Sequence, residues 1–361
     1  MARRILLTVV TVVAFLGFAA PAAGAHGIQG VESTNYRTRI TGMTPRRDGL
    51  IIRVVEAGSR LELINRTDED VVIFGYQDEP YLRIDAAGGV FANVRSPATY
   101  INADRSGSRQ PPPDADPSAP PEWERIDDGL TARWHDHRAH WMGTKDAPPV
   151  RRSPGERHVV IPRWEVPIEV RGERVLVTGD LTWIPGTSSV PWLALSIAIA
   201  LGIAGTAFTR RGVRALTLIV VLVVLVDMVH VAGKASAAAG GLAAGAGGVL
   251  SGSFFSLAGW AAGGLAVVLL LRRSDDGPFA AAFAGAVVAL FGGLADIADL
   301  SRSQIPFAFG ELVARMIVSW SLGAGAGLVL AAILRFRRNP APKPAQGAFG
   351  DGGEGGEPVV P

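Results

Sequence analysis

Apolar and polar positions alternate in short runs along the first half of the chain and stop alternating in the second. The runs are GLIIRVVE (49–56), SRLELINR (59–66), DVVIFGY (70–76), PYLRI (80–84), GVFANV (89–94), RWHDHRAHW (133–141), HVVIPRWEVPIEV (158–170) and ERVLVTGDLTWI (173–184). A period of two puts successive side chains on opposite faces of an extended chain, so each run predicts a half-buried strand. Ala57-Gly58, Ala87-Gly88 and Arg171-Gly172 separate neighbouring runs and suit tight hairpin turns. Gln110–Pro121 (QPPPDADPSAPP) lacks the backbone donors an interior strand needs and reads as a surface loop.

From about residue 188 the pattern changes to long runs of Ala, Val, Leu and Gly. Five segments, near 188–208, 215–234, 250–271, 278–298 and 311–335, approach the ~20 residues that cross a bilayer as a helix. The expected fold is an exported antiparallel β-sandwich of immunoglobulin or cupredoxin type, followed by a membrane bundle of five α-helical spans. Residues 1–25 read as a signal peptide: Arg3 and Arg4 precede an apolar stretch that ends in the small residues Ala23-Gly24-Ala25. The domains then run 26–187 outside the membrane, 188–336 within it, and 337–361 as a Pro/Gly-rich tail with nothing to bury.

Charge orients the bundle. With 26–187 outside, the loops facing the cytoplasm carry Arg210, Arg211, Arg214, Arg272, Arg273, Arg335, Arg337 and Arg338, while the outer loops carry Lys234 and Arg302. That asymmetry is the one expected of a multi-pass protein of a bacterial cell membrane with a cytoplasmic C-terminus. A net charge of +2 with scattered basic residues gives no reason to expect nucleic acid; the expected partners are the lipid bilayer and other envelope or membrane subunits. Cysteine is absent, which removes disulfides and thiolate metal sites. No phosphate loop, HExxH or nucleophile–base motif stands in the chain, which argues against ordinary soluble enzyme chemistry.

Three of the six histidines fall within TARWHDHRAHW (131–141). On a continuous strand His135 and His137 would share one face, with Asp136 and His140 on the other. Cleavage after Ala25 would make His26 the first residue, able to chelate through its amine and its imidazole. His26, His135 and His137 together offer up to four nitrogen donors, a set that suits copper(II) better than zinc. His140 and Asp136 are weaker candidates; Asp136 could instead pair with Arg133 or Arg138. A second group lies in the spans. VDMVH places Asp227 and His230 three apart on one helical face, and ADIAD does the same for Asp296 and Asp299. At 1.5 Å per residue Asp227 lies about 20 Å, and Asp296 about 27 Å, from the cytoplasmic ends of their helices. Ionisable groups at that depth either bind or pass a cation, or form ion pairs such as Asp296 with Arg315 and Asp299 with Arg302.

A signal peptide, a mature N-terminal histidine, a β-sandwich, a later H-x-H and then membrane spans resemble two groups. One is the CopC-type periplasmic copper-binding domain, at times fused to a CopD-type membrane domain. The other is the cupredoxin-like B subunit of copper membrane monooxygenases. The resemblance covers three residues and a topology, and five spans are fewer than a CopD-type domain has. It implies copper at His26, His135 and His137, and a role in copper acquisition, transfer or homeostasis. The alternatives are a non-catalytic immunoglobulin-like envelope module on a membrane anchor, and a subunit of a copper-dependent oxidase or monooxygenase.

Overall fold

The computed structural model describes residues 32–103, 107, 109–239 and 254–338. The signal peptide, His26 and the tail from Asn339 lie outside the described residues.

Ten strands form two antiparallel sheets. β1 (Tyr36–Thr44), β10 (Glu173–Trp183), β9 (His158–Val170), β4 (Val71–Phe74), β5 (Pro80–Ile84), β6 (Val90–Asn93) and β7 (Trp123–Asp127) make up the larger, in that order. The smaller is β2 (Leu50–Val55), β3 (Arg60–Asn65) and β8 (Thr131–Trp134). Leu61, Leu63, Ala132 and Trp134 from the small sheet share one buried cluster with Ile73, Ile84, Ile168 and Val177 from the large one. Period-two alternation is what delivers these positions to a common core. The β9–β10 hairpin turns through Arg171 and Gly172, both at positive φ (57° and 71°), the geometry that matches strand twist in a two-residue turn. Seven of the eight predicted runs are strands close to their expected limits, and Gln110–Pro121 is neither strand nor helix. The strands β1 and β7 are additions to the sequence reading.

The exception is 133–141. β8 ends at Trp134, and the chain turns through a 3₁₀ segment at His137–Ala139. Asp136 causes the break: its carboxylate accepts from the backbone N–H of Arg138, a local bond that competes with strand pairing.

The apolar half forms five long helices: α1 (Val190–Gly205), α2 (Gly212–Ala239), α3 (Phe254–Leu271), α4 (Gly277–Val288) and α5 (Glu311–Arg338). Among the described residues four helices are long and apolar enough to cross a membrane, at Val190–Phe208, Gly212–Ala237, Gly277–Leu294 and Glu311–Arg338. The described part of the expected third span, Phe255–Leu271, is shorter than that measure. Ile197, Leu201, Leu218, Leu265 and Leu271 are exposed on the helices, as a lipid-facing surface requires. The sequence GAGAG in α5 has a specific packing role. Cβ atoms at Gly323 and Gly327 would strike the α1 backbone at Ser196 and Ala200, and one at Gly325 would strike Gly285 of α4. Small residues here let two helices, α1 and α4, approach on two sides of α5.

The fourth apolar segment does not stay α-helical. After Val288 it widens into a π-helical stretch at Ala289–Leu294, breaks at Asp296 (φ −105°, ψ 18°) and tightens into a 3₁₀ turn at Ile297–Leu300. The chain from Ser301 to Gly310 then runs without helix to α5. It meets the β domain directly: Thr34 and Gln304 exchange backbone bonds of 2.9 and 2.8 Å, and Ser303 donates its N–H to Asn35 Oδ1 at 2.9 Å.

Candidate functional site

The turn at Asp136 disperses the H-x-H pair. His135 remains beside the small sheet, with Nδ1 2.6 Å from the Ser59 carbonyl oxygen and Nε2 3.4 Å from Arg60 Nε. His137 is carried to the other side of the turn, where its backbone N–H donates to the Tyr76 hydroxyl at 3.0 Å and its ring lies 6.3 Å from that of Tyr76. His140 comes back instead, its ring 6.4 Å from His135. The same-face pairing of His135 with His137 is therefore replaced by a proximity of His135 to His140. Among the described residues no group of three or more His, Asp or Glu side chains is placed to hold a metal ion. Of the proposed copper set, His135 and His137 contact different neighbours, and His26 lies outside the described residues.

Asp136 is a structural residue. It is fully buried, accepts from Trp134 Nε1 at 3.0 Å, and binds Arg138 through both oxygens at 2.8 and 2.7 Å. Arg138 reaches on to the carbonyls of Phe74 and Gly75, tying the turn to β4. Burial pulls the Arg138 guanidinium toward its neutral form, but the hydrogen bonds and charge of Asp136 outweigh it and hold its pKa above the ordinary value. The pairing with Arg138, one of the two sequence alternatives, is the one formed; Arg133 pairs with the buried Glu62 at 2.5 Å.

The membrane half holds the tighter constellation. On α2, Asp227, His230 and Lys234 are three and four residues apart and so share one face. The broken segment brings Asp296 and Asp299 against that face. Lys234 Nζ lies 2.7 Å from Asp296 Oδ1 and 3.0 Å from Asp299 Oδ2, and His230 Nε2 lies 3.3 Å from Asp296 Oδ2. One turn lower, Asp227 accepts from Trp260 Nε1 of α3 at 2.7 Å. Asp227, His230 and Asp299 are each at least 97 % buried.

Two glycines make the approach possible. A Cβ at Gly292, inside the π stretch, would sit 2.6 Å from Asp227 Oδ1, and a Cβ at Gly233 would collide with the Phe307 ring. Phe307, from the segment before α5, thus covers the cluster, its ring 6.0 Å from His230. Backbone outside helical geometry at membrane depth is tolerated where protein encloses it, as here.

Sequence reasoning found Asp227, His230, Asp296 and Asp299 but missed Lys234, Trp260 and Phe307. The sequence reads Lys234 as an outer-loop residue and offers, beside a cation-binding role, ion pairs of the aspartates with Arg315 and Arg302. The helix instead continues to Ala239, which makes Lys234 the nearest cation; Arg315 binds Glu311 at 3.2 Å and the Arg302 carbonyl at 2.7 Å. The spacing 227, 230, 234 was the available signal. Comparison with protein-family models, with curated proteins and with solved structures finds no match, so the reading of this chain rests on its own residues.

Proposed function

We propose that the chain is a proton-responsive membrane protein of the cell envelope, with its β domain, read as a sandwich, standing outside the cell on a bundle of five spans. The buried cluster exchanges a proton with the outer side. The observation that carries this is an imbalance of charge: Asp227, Asp296 and Asp299 share one ammonium, Lys234, and one imidazole, His230. Net charge in such a place is costly, so the cluster is most stable when it takes up protons that bring its total charge toward zero. Asp227 is the carboxylate whose hydrogen bonds come from neutral groups, the Trp260 indole and the Ser256 hydroxyl. The segment that supplies Asp296 and Asp299 continues straight into Ser303 and Gln304, which hold the β domain. Gain or loss of a proton therefore acts on the junction between the two halves.

Infrared difference spectra of the full-length protein in detergent, taken between about pH 5 and 8 where imidazole titrates, should show a buried carboxyl band that disappears in Asp227→Asn and shifts in His230→Gln. Spectra without any protonation change in that range would reduce the cluster to a static ion-pair lock.

A copper reading stands second, favoured by one contact. The Ser59 carbonyl holds Nδ1 of His135 as a metal site's outer partner does, with His140 adjacent. Here copper(II) would be held by His135, His140 and a mature N-terminal His26. Paramagnetic resonance of full-length protein titrated with copper(II) should show nitrogen ligation that is lost when one extra residue precedes His26. A spectrum insensitive to that residue would remove His26 from the set.

A further inference from the structure

A small pocket opens in the β domain where the start of β1, the β2–β3 connection and the chain after the histidine turn meet. Its lining includes Glu32, Tyr36, Glu56, Ser59, His140 and Trp141. There is room inside for a group about the size of one water molecule.

Glu56 is the unusual member. Its side chain is 96 % buried, and its Oε1 has no hydrogen-bond partner. Its other oxygen has only a long contact, 3.5 Å from Arg60 Nε. Burial pushes the carboxyl above the ordinary range, and Arg60 and Arg133 offset that only in part. The backbone at Glu56 and Ala57 is held at φ 55° and 53°, a conformation unfavourable by about 1–2 kcal/mol for each L-residue. Strain together with an orphaned buried carboxylate oxygen is retained where something outside the fold supplies the missing donor.

We propose that this pocket binds a primary ammonium group, with Glu56 as its counter-charge and Tyr36 and Trp141 among its walls. Three N–H donors answer an orphaned carboxylate oxygen, the Ser59 hydroxyl and the second carboxylate, Glu32. Aromatic walls favour an organic cation. A metal ion is disfavoured because the described residues bring no third ligand within range. The size of the cavity admits an –NH₃⁺ head and rejects a trimethylated one. Its position also matters: Glu32, Thr34 and Tyr36 line it, while Asn35 between them accepts from the backbone N–H of Ser303 at the top of the bundle. A site so close to the helix ends can take its amine from a free solute or from an ethanolamine lipid headgroup.

Ethanolamine titrated calorimetrically into the full-length protein in detergent, with choline as the size control, tests the free source. Nanodiscs of phosphatidylethanolamine against phosphatidylcholine test the lipid source. Saturable binding of ethanolamine, or selective retention of the ethanolamine lipid, that falls at least tenfold in Glu56→Gln supports the site; either source suffices. Glu56→Gln should itself fold, with a raised Tm at neutral pH because a buried charge is gone, so loss of binding cannot be attributed to unfolding. The proposal is overturned if neither source binds, if choline binds equally, if Glu56→Gln binds as well as the parent protein, or if zinc(II) alone occupies the site in place of the amine.

Discussion

Asp136→Ala should destabilise the β domain by about 3–5 kcal/mol, the loss typical of leaving a buried charge without its partner. Four bonds converge on this carboxylate, from Trp134, the Arg138 backbone and both arms of the Arg138 guanidinium. Its removal strands Arg138 among Phe74, Gly75 and the Tyr76 ring, 5.0 Å away. It also frees residues 135–138 from the turn. Thermal unfolding followed by near-ultraviolet circular dichroism should report the loss, because Trp134 is part of the same network. The double change Asp136→Asn/Arg138→Gln, which removes both charges and keeps hydrogen-bonding capacity, should recover much of it. A single-site loss below about 1 kcal/mol, the range of surface pairs, would show that the pair contributes as a surface bridge does.

Lys234→Met should have an effect of similar size in the membrane half, and for the same reason. Lys234 is the ammonium that joins Asp296 and Asp299, and the methionine would leave two carboxylates facing each other across an enclosed space. The expected result in detergent is a fall in Tm of the helical half, with proton uptake that returns the cluster toward neutrality. Adding Asp299→Asn to Lys234→Met should restore stability in part, since one negative charge goes with the positive one. If Lys234→Met unfolds at the parent temperature and takes up no proton, the ammonium does not govern the cluster.

The chain alone offers Asp136 two partners, Arg133 and Arg138, and does not connect Lys234 with its aspartates. The H-x-H spacing at 135–137 reads as a same-face pair only if the strand continues. A single aspartate with a half-buried arginine two residues on was enough to end it. At 296–299 the helical spacing correctly placed two carboxylates together. Lys234 was not among the partners offered there, because the extent of α2 decides whether it is a loop residue or a helix residue. Lys234 and Asp296 are 62 positions apart, and nothing local connects them.

What the sequence determined by itself is periodic. Alternation of period two specified seven strands and their hairpins, since it controls which face of each strand leaves water. Uninterrupted apolar length specified the helices, four of them, among the described residues, long and apolar enough to cross a bilayer. The tertiary structure alone decided how charges distant in the chain find their counter-charges: Arg133 on Glu62, Lys234 between two aspartates, Glu56 with an oxygen unanswered. Burial free energy follows local composition and can be read from a short window. Electrostatic pairing in a low-dielectric interior depends on distances of a few ångströms between segments far apart in the chain, and only the folded molecule sets those.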